Sequence, residues 1–475
     1  MRVNHNSMAL NASQHFAKIN KNISKSMERL SSGYRITSPA DDAAGLAIST
    51  KMSAQIRGLD RASKNSNDGV SVIQSAEGGL EEIHSILGRM RELAVQATND
   101  VNNEEDRDAI QEELNALVEE INQVVETTAF NEQKLLNGDL TRRTMSSEFT
   151  MEATYISQEV PEGLYEISVT ADATQALYTT AFAYSGATVT AEQEGTITVN
   201  GFLIEFKEGM TMTDVYESLQ THLSKIGIDV MASADGGVTK EEFSSGSPVV
   251  FKSREYGSDQ RIEIGVTNDE LAALLGIADG DVVYGTDCEA SLTVTDEGFT
   301  STASLTTSGN DISIVDRNGF EMEVTVEPGA AAGGAVETTI EVFSAGTMIV
   351  QTGANSGEQL EIDIPDVNAD ELGVSNLILY THEYASDAIE AIDAAVIKVS
   401  NIRSQLGAYQ NRLEDVYDNL EVQEESITAA YSRIMDTDMA EEMTNYTQQD
   451  VLSQAAISMM TKSNERPESI LQLLQ

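Results

Sequence analysis

Two stretches near opposite ends of the chain carry apolar residues at alternating spacings of three and four. The first runs Ile73, Ala76, Leu80, Ile83, Leu87, Met90, Ala94 and Ala97; the second runs Ile389, Ile392, Val396, Val399, Ile402, Leu406, Tyr409, Leu413, Val416 and Leu420. That spacing places each set on one face of a helix. A stripe so close to a heptad repeat is buried by a partner of the same kind, which predicts that the two ends pack together as long, antiparallel, coiled-coil-like helices. At 1.5 Å per residue the first stripe alone spans on the order of 40 Å. Only six of the 475 residues are proline, and helices of this length need that scarcity, because an interior proline costs about 3 kcal/mol.

Three further stripes surround these two. Phe16, Ile19, Ile23, Met27 and Leu30 predict a helix that Ser31-Ser32-Gly33 ends. After a polar joint at 99–106, Ile110, Leu114, Leu117, Ile121 and Val124 predict another. A last helix carries Met439, Met443, Tyr446, Leu452, Ala456 and Met459 and leads to Ile470, Leu471, Leu473 and Leu474. Apolar residues at an unshielded terminus call for burial elsewhere.

Between the helical ends the apolar period changes from about 3.6 to 2, and Gly, Thr, Ser, Val and acids dominate. Ile197 and Val199 alternate before Asn200-Gly201, and Phe202, Ile204 and Phe206 after it, the signature of a tight hairpin. Asn318-Gly319, flanked by Ile312, Ile314, Phe320, Met322 and Val324, predicts a second. Val215, Leu219, Leu223 and Ile226 mark a helix entered at Thr211 or Thr213, and 267–275 forms another. The expected fold is therefore mainly α at two paired ends, with a β-rich α+β domain inserted in the middle of an elongated, multidomain molecule. At this length one hydrophobic core is not expected to serve the whole chain.

Charge narrows the possible functions. The formal net charge is -49, which excludes nucleic acid as a partner, since phosphates require clustered Lys and Arg. The distribution is uneven: Arg2, Lys18, Lys21, Lys25, Arg29 and Arg35 make the first 45 residues basic, whereas 144–376 holds forty acidic residues against seven basic ones. Such a middle belongs in water. Cys288 is the only cysteine, so neither a disulfide within the chain nor a cysteine metal site is expected. No apolar run of membrane-spanning or signal-peptide length occurs, which predicts no membrane partner and, for a secreted chain, export without a cleaved signal.

No catalytic or cofactor site is expected either. His5, His15, His84, His222 and His382 are scattered, without a second ligand at metal spacing. Asp41-Asp42 stands beside a helix start, where adjacent acids act as caps or dipole partners. Asp279-Gly280-Asp281 and Ala234-Asp235-Gly236-Gly237 lack the ligand spacing of a calcium loop and are expected to be turns. The Asn-x-Ser/Thr triplets at Asn11, Asn22 and Asn445 fall on helical stripes rather than surface loops.

The ends are more specific than their periodicity. Residues 28–36 read ERLSSGYRI, 41–48 DDAAGLAI and 91–99 RELAVQATN; near the other end 406–414 read LGAYQNRLE, 432–440 SRIMDTDMA and 470–474 ILQLL. In this order they closely resemble the terminal signatures of bacterial flagellins, over about 140 residues at the start and 130 at the end. The segment 350–358, with Leu360, Ile362 and Ile364 alternating after it, resembles the family's inner-domain hairpin, displaced here by an insertion. Residues 195–228 are similar to a repeat found in some flagellin insertions.

The resemblance implies a structural subunit that polymerises with itself into the helical filament used for motility, exported unfolded to the bacterial flagellum outside the cell. It places 1–44 and 435–475 in a terminal helical core domain, disordered in the monomer, with polymerisation carried by Phe16, Ile19, Ile23, Met27, Leu30, Leu452, Met459, Leu471, Leu473 and Leu474. It places 45–140 and 347–434 in an inner helical rod with a hairpin near 347–375, and 141–346 in a variable outer domain. Implied partners are an export chaperone, the cap and hook-junction proteins and the host Toll-like receptor for flagellin, which is expected to contact Arg89, Leu93, Gln96 and Glu113. Arg89, Leu93 and Gln96 lie four and three apart and share one helical face, which either binds the receptor or pairs Arg89 with nearby acids and packs Leu93 on a neighbouring subunit. A junction protein would share these ends, although the density of matches favours the filament subunit. A metalloprotease-bearing insertion would show His-Glu-x-x-His, which is absent from the sequence.

Overall fold

The structure is a computed structural model that describes residues 6–99, 101–157, 160–180, 188–233, 237, 240, 243, 248–294, 298–343 and 345–473. The chain divides into two compact units, one of Met1–Gly69, Val350–Leu360 and Arg412–Gln475, the other of Val70–Ile349 and Glu361–Asn411. Helical ends enclose a β-rich middle, as the periodicity predicts.

In the first unit, helix α1 spans Ser7–Ser32, and α2 (Ala43–Ala97) contributes its residues up to Gly69. The Asn6 side chain starts α1 by accepting from the Ala9 N–H at 3.1 Å. Gly33 stops it with φ +74°, a left-handed conformation that is strained for any residue with a Cβ, while its N–H closes the last turn on Arg29 O at 2.8 Å. The second unit includes α3 (Glu104–Thr127), α4 (Met212–Lys225) and α5 (Asp269–Leu275). Helix α6 (His382–Met435) serves the second unit up to Asn411 and the first from Arg412, and α7 (Met439–Leu473) completes the first. Within the first unit Leu59 and Ala62 of α2 bury against Leu420 of α6, with Ala354, Val416 and Ile427 packed around them.

In the second unit the predicted α2 stripe is fully inside: Ile73, Ala76, Leu80, Ile83, Leu87, Met90, Ala94 and Ala97 are all at most 1% exposed. On α6 the central row differs slightly from expectation. Ala385, Ala388, Ile392, Ala395 and Val399 are buried, while Ile389 and Val396 are half-buried beside them. A capping box between Asn103 and Asp106 starts α3, at the polar joint.

The middle has two cores. In one, the antiparallel sheet ordered Asp281–Tyr284, Arg261–Val266, Gly195–Val199, Phe202–Phe206 and the sheet ordered Gln175–Thr179, Val249–Tyr256, Ile228–Ala232 share their apolar faces with α4 and α5. In the other, two four-stranded antiparallel sheets enclose Tyr165, Phe299, Ile312, Ile314 and Met322. Their strand orders are Glu289–Thr293, Gly163–Ala171, Val336–Phe343, Arg143–Ser146 and Ser304–Ser308, Asp311–Val315, Glu321–Val326, Met151–Ile156.

The Asn200-Gly201 hairpin forms as predicted, with φ of +48° and +77° at its two turn residues. Thr211, rather than Thr213, caps α4 through a capping box with Asp214. The second predicted hairpin is corrected: strands Asp311–Val315 and Glu321–Val326 do pair, but a 3-10 turn over Arg317–Gly319 joins them in place of a two-residue turn. Asp316 causes the wider loop by accepting from its neighbour's N–H and from Thr300 and Thr302. A two-stranded hairpin, Met348–Gln351 with Gln359–Ile362, lies where the resemblance placed one.

Candidate functional site

Helices α1 and α7 run antiparallel, joined at both ends of their contact. Asn6 Nδ2 donates to Ser463 O at 2.9 Å at one end. At the other, the Thr437 N–H donates to Gly33 O at 3.0 Å, the Arg35 N–H to Met435 O at 2.6 Å and Arg35 Nη2 to Ile434 O at 2.7 Å. Between them the seam is poor in apolar burial. Ser26 is the only buried residue of α1, and Glu442 and Ser453 are the buried residues among those described on α7. Arg29 meets Glu442 in the seam at 3.5 Å.

The expected polymerisation residues divide accordingly. Phe16, Ile19, Ile23 and Leu30 are half-buried along the α7 side of α1, whereas Met27, Leu452 and Met459 are exposed at 55%, 43% and 68%. Met8, Leu10, Met439, Met443, Val451 and Ile457 are exposed with them. The side chains of Ile470, Leu471 and Leu473, and Leu474 altogether, lie outside the described residues, as do His5 and the 234–236 turn. Fixing a residue's backbone costs roughly 1–2 kcal/mol, and each fully buried large apolar side chain returns roughly 1.5–3 kcal/mol.

Of the two adjacent acids, Asp42 sits at a helix start as expected, whereas Asp41 ties down the turn before it. Asp42 Oδ1 accepts the Gly45 N–H at 2.9 Å at the start of α2. Asp41 accepts from the N–H groups of Thr37 and Ser38 at 3.3 and 3.2 Å and pairs with Lys25 at 2.5 Å. The Lys25 ammonium, and then those donors, hold the Asp41 carboxyl far below the usual carboxylate range. Stability from such a depressed group is present above its ordinary pKa and is lost as the pH falls through and below about 4. Measured on the assembled protein, Asp41→Asn should therefore lower the melting temperature at pH 7, and the gap from wild type should shrink steadily below pH 4. A gap independent of pH in a circular dichroism series would assign the loss to something other than this charge.

The Arg89 face forms only in part as expected. Arg89 donates from Nε and Nη2 to Glu113 Oε1 at 3.0 and 2.6 Å and from Nη1 to Glu92 Oε2 at 3.0 Å. The Glu113 hydrogen bond, followed by that of Glu92, raises the Arg89 pKa. Arg89, Gln96 and Glu113 are exposed. Leu93 is a correction, since it is only 1% exposed and buried with Ile86, Met90 and Ala97. The cause is that α2 meets α3 on one side, through Arg89–Glu113, and α6 on another, through Arg91–Asp393 and Arg403–Glu77, so two adjacent rows are buried instead of one.

Several polar contacts in the second unit had no signal in the sequence. Lys225 at the end of α4 reaches Asp108 at 3.0 Å and Glu104 at 3.3 Å on α3, and lies over the Tyr380 ring at 5.5 Å. Asn200 donates to Tyr384 Oη at 2.6 Å, and Lys398 pairs with Glu323 at 3.1 Å. Only their long separations along the chain hide them, because nothing in local spacing links residue 108 to 225. Among the described residues no group of three or more His, Cys, Asp or Glu side chains could hold a metal ion, and no helix is long and apolar enough to cross a membrane. Cys288 is buried, which pushes its thiol up to about 11 and keeps it protonated.

Helical ends with exposed apolar faces around an acidic β-rich middle describe a chain built for assembly. Residues 3–141 match the family model described as the bacterial flagellin N-terminal helical region, and 389–474 match the bacterial flagellin C-terminal helical region. A flagellin of Clostridium tyrobutyricum is 34% identical over 98% of this chain and 100% of its own length. Flagellin A of Vibrio anguillarum is 32% identical over 100% of this chain and 99% of its own, and a flagellin of Salmonella rubislaw 29% over 100% and 99%. The chain belongs to the bacterial flagellin family. It is thus a structural subunit of the flagellar filament outside the cell and not an enzyme.

Proposed function

We propose that the chain polymerises through its terminal helices, with 1–44 and 435–475 forming a core domain that is disordered in the monomer and folds on assembly. The observation that carries this reading is the α1–α7 pair, which leaves Met8, Leu10, Met27, Leu452 and Met459 exposed and buries only Ser26, Glu442 and Ser453 among its described residues. Neighbouring subunits supply the missing burial, and their contacts must exceed the entropy of ordering. Phe16, Ile19, Ile23, Met27, Leu30, Leu452, Met459, Leu471, Leu473 and Leu474 carry that burial. Residues 45–140 and 347–434 form the inner rod, and 141–346 the outer domain. The chain leaves the cell unfolded, in the care of an export chaperone, and meets cap and hook-junction proteins at the ends of the filament. Electron micrographs of the purified protein test the assembly: long, open filaments are expected, and a closed or limited oligomer would contradict the proposal.

A second reading rests on the exposed Arg89–Glu113 pair. The host Toll-like receptor for flagellin contacts Arg89, Gln96 and Glu113 in the monomer, with Leu93 packed beneath them to fix the face rather than touching the receptor. Arg89→Ala or Glu113→Ala should weaken direct receptor binding roughly tenfold, the size of loss typical of an interface anchor, with monomer folding unchanged. Equal affinity of wild type and both variants would remove this reading.

A further inference from the structure

The first unit carries two charged stripes of opposite sign on faces turned away from its core. On α2, Arg57, Arg61 and Lys64 are exposed at spacings of four and three, which sets them on one face. That face lies opposite Leu59, Ala62 and Ser66, which are all buried. On α6, Glu414, Asp418, Glu421 and Glu425 are exposed at spacings of four, three and four. They too are rotated well away from the packed row of Leu413, Leu420 and Ile427. Local contacts engage part of each stripe: Lys64 pairs with Asp60 at 2.9 Å, and Tyr417 Oη donates to Glu421 at 2.9 Å. Both are exposed contacts between residues four apart, which are weak.

Height along the unit relates the two stripes. Leu59 packs with Leu420, and a Cβ on Gly69 would lie 3.1 Å from Leu413, so α2 and α6 run antiparallel here with 57–64 level with the acidic residues. The two faces look outward on opposite sides of the same pair of helices and cannot meet within one subunit. A patch on one side that complements a different patch on the other makes a head-to-tail contact, which repeats without closing into a two-fold dimer.

We propose that the acidic stripe of α6 docks on the basic stripe of α2 in a second copy of this chain, forming a charge-complementary lateral contact between subunits. This rests on the self-assembly reading above and specifies one of its interfaces. Charge of this kind sets register and partner choice more than total affinity, and salt weakens it.

The test measures the critical concentration for filament formation of the full-length protein, by sedimentation, at low salt and at about 0.5 M NaCl, where the Debye length falls to roughly 4 Å. Because subunits of net charge -49 repel one another generally, the contact is read from the difference between variants and wild type, which should shrink at high salt. Glu421→Lys with Glu425→Lys should raise the low-salt critical concentration about tenfold, as should Arg57→Glu with Arg61→Glu, since each replaces two attractions by repulsions. The chain carrying all four substitutions, with its charges exchanged, should return to within about twofold of wild type. Variants that assemble like wild type, an exchanged chain as defective as the double variants, or a variant defect equally large at both salts would each overturn the contact. If wild type forms no filaments at any salt, the self-assembly reading itself fails. Circular dichroism of each monomer separates a folding defect from an assembly defect, and the exchanged chain decides the matter even where one double variant misfolds.

Discussion

Removing residues 436–475 should leave a soluble, folded chain that forms no filaments. The deletion takes away all of α7, whose described buried residues are Glu442 and Ser453, so the cores around Leu59 and Leu420 and in the β-rich middle keep their members. It also strips α1 of the helix it pairs with and removes the exposed Met439, Met443, Leu452, Ile457 and Met459 that neighbouring subunits would bury. Each such side chain, once fully buried, is worth roughly 1.5–3 kcal/mol, so the set together outweighs any plausible charge contact between subunits. The melting transition of the remainder should stay within a few degrees of wild type, because its cores are untouched. Pelletable polymer should be absent at every concentration tested; filaments at normal yield would show that the terminal pair is dispensable.

Phe206→Ala should do the reverse, costing stability and sparing assembly. Phe206 is 1% exposed in the core that also holds Ile197, Ile204, Val215 and Leu219. Phe-to-Ala changes in such cores typically cost about 3–5 kcal/mol, from lost burial and the cavity left behind. Differential scanning calorimetry should show a markedly lower transition for the part of the molecule containing this core, while filaments still form below that temperature. Loss of filaments with the helical content intact would give the middle a part in assembly that its acidic surface does not suggest.

The helices were legible because their apolar period is long and little interrupted. The Ile73 to Ala97 stripe needed only the 3.6-residue repeat, and Gly33 marked its helix end through a backbone requirement that a single residue displays. What local spacing did not carry is partnership. Leu93 reads as a flank of one stripe, and only the simultaneous presence of α3 and α6 against α2 buries it. Ala388 and Ala395 are fully buried on α6, while the larger Ile389 and Val396 beside them are only half-buried. Sheet order was likewise invisible, since Val336–Phe343 pairs with Gly163–Ala171 and Arg143–Ser146 across more than 160 residues.

The site followed the same division. Met27, Leu452 and Met459 were identifiable as apolar residues in need of cover. The polar seam that leaves them exposed appears only when α1 and α7 lie side by side, since Glu442 and Ser453 give no sign in sequence of being the buried face of a helix. The Asn318-Gly319 dipeptide misled because Asp316 reshapes the loop from outside the turn.

Amide hydrogen exchange, compared between monomer and assembled filament, tests most directly whether burial of the terminal helices drives assembly. Exchange reports opening free energies segment by segment. Amides of α1 and α7 should exchange almost without protection in the monomer and become strongly protected in the filament, while those around Ile83 and Leu87 are protected in both. Terminal helices already protected in the monomer, or still unprotected in the filament, would contradict the account.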